Sequence, residues 1–365
     1  MLNMIRECAS NQSENNKKIE IKIENINFAK RNNICNKLHL LNIENIKEYI
    51  GKSKYFSENF ELLKYIDYGS ESLVFNCLLK NKRKQLISKI IFNKEKGKIN
   101  KRELEILFKL RHKNIITFYS YSHIIKGESW LMIMEDAKLG NLSNFKRYIL
   151  SISQSLNESL ICYIASQIFD GIIYLYKCKI AHMDLKPKNI VIDEFLNIKI
   201  IDFSISIDYK DKKQNDVIKL PFLGTSYYMP IEILATQKIK YKDIHKIDLY
   251  SFGVILFNLA FGKFPYNITY DDEEDYYKIY QKIYINDIDI EKNNNGFSSY
   301  FIDFLKKLLK KDINERMNIT EAKNHYWIKG SKILLDEKEK IGNTNIFFYN
   351  IITNNIKDFN AYIKQ

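Results

Sequence analysis

The stretch CKIAHMDLKPKNIVID, residues 178–193, brings a carboxylate (Asp184), an ammonium (Lys186) and an amide (Asn189) within six positions, then closes on Ile190, Val191 and Ile192. A further carboxylate, Asp202, ends the apolar run IKIID. This combination suits phosphoryl transfer. Asn189 and Asp202 offer the hard oxygen atoms that Mg2+ prefers, and Lys186 offsets charge on a transferring phosphate. Asp184 is of the type that accepts a hydroxyl proton.

Such groups act together only if the chain around them is rigid, so the flanking elements matter. From Phe60, FELLKYIDYGSESLVFNCLLKNKRKQLISKIIF reads as strand, glycine turn, strand, charged hairpin, strand. INKRELEILFKLRHKN changes to a helical period, with Leu104, Leu107, Phe108 and Arg111 expected on one face. Two more strand-like runs end at SWLMIMEDA. Past Gly140 the chain turns helical. ESLICYIASQIFDGIIYLYKC sets Leu160, Ile164, Ile168 and Leu175 on one face, NIVIDEFLNIKIID interrupts as a hairpin, and helices resume near Ile231. A β-rich first part and a helix-rich second part imply an α+β fold of two lobes with a ligand site between them. Residues 1–59 and 329–365, rich in Asn and Lys, read as a low-complexity extension and a tail.

The bulk properties exclude several classes. Hydrophobic content of 45% with 13% aromatics is too high for a wholly disordered chain. The net charge of +13 arises from lysines spread along the sequence rather than from a basic stripe, so nucleic acid is not the expected partner. Five cysteines, an odd number with no CxxC pair, fit reduced thiols in the cytoplasm or nucleus. The N-terminus has no apolar leader. The most apolar stretch, LYSFGVILFNLAFGKF, is short for a bilayer and reads as a buried helix. The acidic run DDEED at 271–275 reads as a solvated loop.

His182-Met183-Asp184-Leu185-Lys186-Pro187-Lys188-Asn189 and Asp202-Phe203-Ser204 resemble the catalytic loop and metal-binding turn of the eukaryotic protein kinases, serine/threonine type. Other pieces follow in that family's order. YIDYGSESLVF resembles the glycine-rich loop, with Gly69 central and Val74 over the adenine. The resemblance makes Lys89 of LISK the phosphate-binding lysine and Glu103 its helix partner; Glu105, two residues on, would face away. LMIMEDA resembles the strand into the hinge, where Met134 is the gatekeeper and the backbones of Glu135 and Ala137 meet adenine; Val191 completes the cofactor set. GTSYYMPIE, IDLYSFGVILF and DINERMNITEA imply Thr225 near Asp184, Asp248 bracing the catalytic loop, and an ion pair of Glu232 with Arg316. The likeness runs from about Phe60 to Ile328, with lobes at 60–135 and 138–328. It implies an ATP- and Mg2+-dependent enzyme that phosphorylates Ser/Thr hydroxyls of proteins, with Asp184 and Lys186 catalytic and Asn189 and Asp202 holding metal. The alternative is a pseudokinase that uses the same fold as a nucleotide-sensing module.

The sequence departs from the family pattern at defined points. Met183 stands where many members carry an arginine that grips a phosphorylated activation loop. After Ser206, IDYKDKKQNDVIKLPFLG offers Tyr209 as its only hydroxyl. Control by Ser/Thr phosphorylation of this loop is therefore not expected. Asp67 and Ser72 replace outer glycines, Ile87 replaces the alanine against adenine, and Ser204 replaces the glycine after Asp202-Phe203. These changes bear on ATP affinity more than on chemistry.

Overall fold

The computed structural model describes residues 43–69, 72–92, 102–125, 129–153, 155–220, 223–269, 275–288 and 296–353, with a few single positions besides. They form two compact units. One holds the described residues up to Arg111 with Ile116–Lys138; the other holds His112–Ile115 with the chain from Leu139 onward.

The first unit opens with helices α1 (Ile43–Gly51) and α2 (Lys54–Asn59). Strands β1 (Phe60–Gly69), β2 (Ser72–Leu79) and β3 (Lys84–Phe92) follow, then helix α3 (Arg102–Lys109) and strands β4 (Phe118–Ile125) and β5 (Ser129–Glu135). The sheet is antiparallel in the order β1-β2-β3-β5-β4. Alternation fixes its two faces. Leu73, Phe75 and Cys77 of β2 and Leu86, Ser88 and Ile90 of β3 are buried, whereas Val74, Ile87 and Lys89 point the other way and are half-buried.

Ile46, Ile50 and Phe56 join the core with Leu73, Phe75, Ile90 and Leu131, so residues 43–59 cover the sheet rather than trail from it. Burying these three side chains contributes on the order of 5 kcal/mol. Ser53 caps α2 by accepting the Phe56 N–H, and its hydroxyl bonds Ser122 of β4 at 2.9 Å. Within α3 the buried set is Glu103, Leu104, Ile106 and Leu107. Phe108 is half exposed, its ring against Phe118 and Tyr121, and Arg111 lies beyond the helix end, so the expected apolar face is displaced by one position.

The second unit is mainly helical. It contains α4 (Leu142–Ile152) and α5 (Glu158–Lys177), then strands β6 (Ile180–Ala181), β7 (Ile190–Ile192), β8 (Ile198–Ile200), β9 (Ile207–Asp208) and β10 (Val217–Lys219). Helix α6 (Ile231–Thr236), strand β11 (Lys238–Lys240) and helices α7 (His245–Phe261), α8 (Tyr276–Ile285), α9 (Ser299–Leu308), α10 (Ile319–Asn324), α11 (Tyr326–Ile341) and α12 (Thr344–Ile352) complete it. The strands pair as three two-stranded ribbons, β6–β9, β7–β8 and β10–β11. Segments Glu158–Lys177 and Tyr241–Phe261 are long and apolar enough to cross a bilayer by composition, yet most of each is buried inside this unit. They are its central helices.

The Lys- and Asn-rich end also folds. Phe347, Phe348 and Ile351 are fully buried, with Phe347 against Tyr163 and Phe348 against Phe145. Asn157 caps α5 through its amide oxygen and donates its amide hydrogens to the carbonyls of Ile351 and Ile352, at 2.7 and 2.9 Å. That bond pair satisfies carbonyls at the end of α12 that the helix itself leaves open.

Candidate active site

The stretch read first from the sequence lies between β6 and β7 and closes in a short turn, Pro187–Asn189, whose leading proline suits a helical first position. Asp184 sits at its centre. Its Oδ2 accepts Lys186 Nζ at 2.7 Å and Asn189 Nδ2 at 3.0 Å, and its Oδ1 accepts the backbone N–H of Thr225 at 3.0 Å. Lys186 also donates to Thr225 Oγ1 at 2.7 Å. Asn189 Nδ2 further donates to the Asp184 carbonyl, so its amide nitrogen is committed to Asp184. Gly224, at φ +101°, carries the chain past Asp184; a side chain there would be strained by that backbone, and its Cβ would crowd Asp184 Oδ1 at 3.3 Å.

Buried polar groups hold this loop from below. Asp248, in the first turn of α7, accepts the N–H groups of His182 (2.7 Å) and Met183 (2.9 Å). It is a brace rather than a helix cap. Burial pushes its carboxyl above the usual range, opposed by nearby His182 and these two N–H bonds. His182 contacts the Ile201 carbonyl through Nε2 at 2.9 Å, while its Nδ1 accepts the Asp184 N–H at 3.2 Å, which fixes the proton on Nε2. Phe203 packs edge-on against the His182 ring. Met183 and Asp202 both have left-handed backbone, at φ +73° and +67°. Aspartate tolerates that region well; methionine does so at a cost of about 1–2 kcal/mol, and the Asp248 bond at its N–H offsets that cost.

In the sheet unit, the ladder sets Val74 opposite Lys89, Ile87 opposite Met134, and Lys89 opposite Met132. Lys89 donates to both oxygens of Glu103, at 2.7 and 3.0 Å, with the two side chains only 11% and 6% exposed. An exposed ion pair would add little; a shielded one fixes both side chains. Glu105 points to solvent, as its place two residues on requires. Gly69 lies opposite Ser72 at the end of the β1–β2 pair, and Asp67 lies opposite Val74. The Glu135 N–H is given to the Thr117 carbonyl at 3.0 Å, so that donor is committed; Ala137 follows, half-buried.

Thus Asp184, Lys186 and Asn189 come together in one unit, and Val74, Lys89 and Glu103 in the other. Val191 sits half-buried on β7, paired with Lys199, and Asp202 follows β8.

The family model described as "Protein kinase domain" matches residues 60–328. The chain belongs to the protein kinase family. It is similar to the serine/threonine-protein kinase dst2 of Dictyostelium discoideum, 29% identical over 80% of this chain and 24% of the relative. It is also similar to the serine/threonine-protein kinase pakH (28%, over 75% of this chain and 50% of the relative) and to an Aurora kinase (29%, over 77% and 68%), both from the same organism. The chain therefore spans a quarter to a half of the length of dst2 and pakH. Dst2 and pakH are of the serine/threonine type that the catalytic loop resembles.

The kinase's activation segment differs from its surroundings in how it is secured. Ser206 is fully buried and donates to the His182 carbonyl at 2.9 Å. Tyr209 is buried too, its N–H on the Lys179 carbonyl, and burial raises its hydroxyl pKa well above the ordinary tyrosine value. The β6–β9 and β10–β11 ladders hold the stretch between, and Leu220 N–H reaches the Gln237 carbonyl at 2.7 Å. Glu232 and Arg316 pair through two bonds of 2.6 and 2.9 Å, with Arg316 over the Tyr250 ring.

Sequence reasoning did not single out Gly224, although its place directly before Thr225 in LGTSYY was a signal for it. The reading of DDEED as solvated is corrected at Asp272, which is fully buried between Lys278 (2.8 Å) and Lys282 (2.6 Å). Burial alone would raise that carboxyl, but these ammonium groups and Thr269 hold it well below the usual range. Asp275 caps α8, and positions 271, 273 and 274 lie outside the described residues.

Proposed function

We propose that this chain is an active, ATP- and Mg2+-dependent serine/threonine kinase of protein substrates. The observation that carries the reading is the clamp on Asp184: a lysine, an amide and a backbone N–H fix both carboxylate oxygens, one of them also held through the lysine that touches Thr225. A carboxylate so fixed orients an incoming hydroxyl and takes its proton, and Lys186 beside it stabilises negative charge that develops on the transferred group. The residues present fit the nucleotide and its metal: Asn189 and Asp202 bring hard oxygens, and Lys89, steadied by Glu103, brings a fixed cation for phosphate. Mg-ATP, when bound, supplies the phosphoryl group and the metal charge that spreads over it.

The test is transfer of labelled phosphate to a basic and an acidic generic protein, and to the chain itself, with Asp184→Asn run in parallel. The expected outcome is a fall of at least about 100-fold in the variant. Equal incorporation by both proteins overturns the catalytic reading. The alternative, a nucleotide-sensing module without transfer, is supported by Asp67, which stands opposite Val74 at an outer glycine position. Nucleotide-dependent thermal stabilisation without incorporation by either protein would select it.

A further inference from the structure

The activation segment carries a charge arrangement that the phosphate chemistry does not use. In the β10–β11 ribbon, Lys219 stands opposite Lys238, Val217 opposite Lys240, and Ile218 opposite Ile239. Because side chains alternate along a strand, Lys219, Lys238 and Lys240 rise from one face and the isoleucines from the other. Ile239 is buried, and all three lysines are exposed. Cβ atoms of directly opposed residues lie about 5 Å apart, and like charges so placed disfavour the ribbon.

Some exposed lysines of this unit meet carboxylates, Lys307 with Asp303 and Lys310 with Glu315, and others, such as Lys210, Lys212 and Lys323, stand singly in solvent. Lys219, Lys238 and Lys240 meet no carboxylate among the described residues. Asp216, the nearest acid in sequence, precedes Val217 and by alternation belongs to the isoleucine face. Three concentrated positive charges without a counterion among the described residues are a site for an anion from outside.

The position of the ribbon says which anion. Lys219 lies six residues before Thr225, whose N–H holds Asp184. Six residues span at most about 20 Å, so the lysine face lies within reach of a short extended peptide whose hydroxyl is at Asp184. Leu220, at the end of the ribbon, is itself fixed, buried and with its N–H on the Gln237 carbonyl. Lysine is a point charge without the planar fork of arginine, so it selects for charge and not for a strict orientation.

We propose that Lys219, Lys238 and Lys240 determine substrate specificity, recognising clustered acidic side chains within about six positions of the phosphorylated Ser or Thr. The proposal rests on the kinase reading above and names its substrate class.

Peptides with one serine acceptor and flanks of Asp, Ala or Lys, and one with phosphoserine in place of the Asp cluster, test it on the full chain. Two readouts are used: kcat/KM for transfer, and peptide binding by fluorescence anisotropy, which needs no turnover. For the unaltered chain, Asp flanks raise kcat/KM about tenfold over Ala flanks, chiefly through KM, and the gain shrinks as salt rises. In the triple variant Lys219→Glu, Lys238→Glu, Lys240→Glu the ratio falls to one or below; in the matching Lys→Arg triple it persists, which separates charge from folding. A phosphoserine peptide preferred over the Asp peptide supports the same surface and assigns its anion to a substrate already phosphorylated. Equal use of Asp and Ala flanks, a preference for Lys flanks, or a preference that survives charge reversal overturns the proposal. So does RNA binding that the triple reversal abolishes while peptide selection stays intact. If no peptide is phosphorylated at all, the kinase reading has failed, and anisotropy still decides whether the ribbon holds acidic peptides.

Discussion

The loop around Asp184 and the β1–β2 strand pair both depart from the family pattern, and the two absorb their departures by different means. At the loop, Met183 replaces an arginine, yet the backbone there is held by Asp248, His182 and Ser206, none of which depends on that side chain. At the strand pair, Asp67 and Ser72 replace glycines whose use was the bare backbone itself. Val74 and Lys89 still face the same way from the ladder, but a carboxylate now stands opposite Val74. A loop held by buried bonds keeps its shape whatever side chain stands at Met183; a surface made by the lack of side chains has no such support.

The largest effect should come from removing the loop's brace. Asp248→Ala leaves the His182 and Met183 N–H groups without acceptors in a buried place, at a cost of about 3 kcal/mol. The catalytic rate should fall at least about 100-fold as Asp184 loses its position. Chemical denaturation and kcat at saturating ATP measure the two effects. A variant of normal rate would mean that the loop is not braced through α7.

The same support makes the helical unit sensitive to acid. His245, beside that brace, has a buried Nδ1 without a partner, and its pKa is pushed down from 6.5 to about 4 by burial, with Lys246 adding to the effect. Between those values the folded chain binds fewer protons than the unfolded one. Stability is therefore full above about pH 6.5 and declines as pH falls toward 4, by about 3 kcal/mol for this group. Asp248, raised by burial, works in the opposite sense in the lower part of that range, and Asp272, held low, acts only beneath it. His245→Gln should flatten the decline. In the sheet unit, the buried Cys77 thiol is pushed up to about 12 by burial and stays neutral throughout, so it adds no such slope. A slope unchanged in His245→Gln would place the acid sensitivity elsewhere.

Much of this division was legible in the sequence. The groups gathered around Asp184 cluster in one short stretch, and the resemblance pointed to Glu103 while helical geometry turned Glu105 away. What was not legible depends on partners far along the chain. Phe108 continued the apolar period of α3 but lies half exposed over Phe118, because the helix ends at Lys109 and the buried stripe runs through Ile106 instead. Ile46, Ile50 and Phe56 are three apolar residues among Lys and Asn, too few to mark a core until the sheet they cover is known. Phe347, Phe348 and Ile351 belong to the same case, since α12 finds its place only against α5. Asp272 looked solvated because the lysines that surround it are six and ten residues ahead.

A milder perturbation sharpens the contrast at the strand pair. Asp67→Gly removes the carboxylate opposite Val74 and restores a bare backbone. The expected change is a fall of about fivefold in KM for ATP with kcat nearly constant, since one nearby charge on an exposed strand is worth about 1 kcal/mol. Steady-state kinetics with varied ATP decide it. A change in kcat alone would tie this strand to the chemical step instead.

The smallest effect is expected at Met183. An arginine there has a use only if a phosphate arrives for it to bind, since a phosphorylated residue orders a segment by gaining charge-assisted bonds. Here Ser206 gives its hydroxyl to the His182 carbonyl inside the fold, and Tyr209, the last hydroxyl before the ribbon, is buried with its N–H on the Lys179 carbonyl. The segment is instead secured by backbone ladders at its two ends, Ile207–Asp208 and Val217–Lys219, which need no phosphate. Met183→Arg should therefore change activity by less than about twofold, and phosphatase treatment of either protein should leave it unaltered. Loss of activity on dephosphorylation, traced by mass spectrometry to Ser206 or Tyr209, would show that these buried hydroxyls open to solvent and that the ladders alone do not hold the segment.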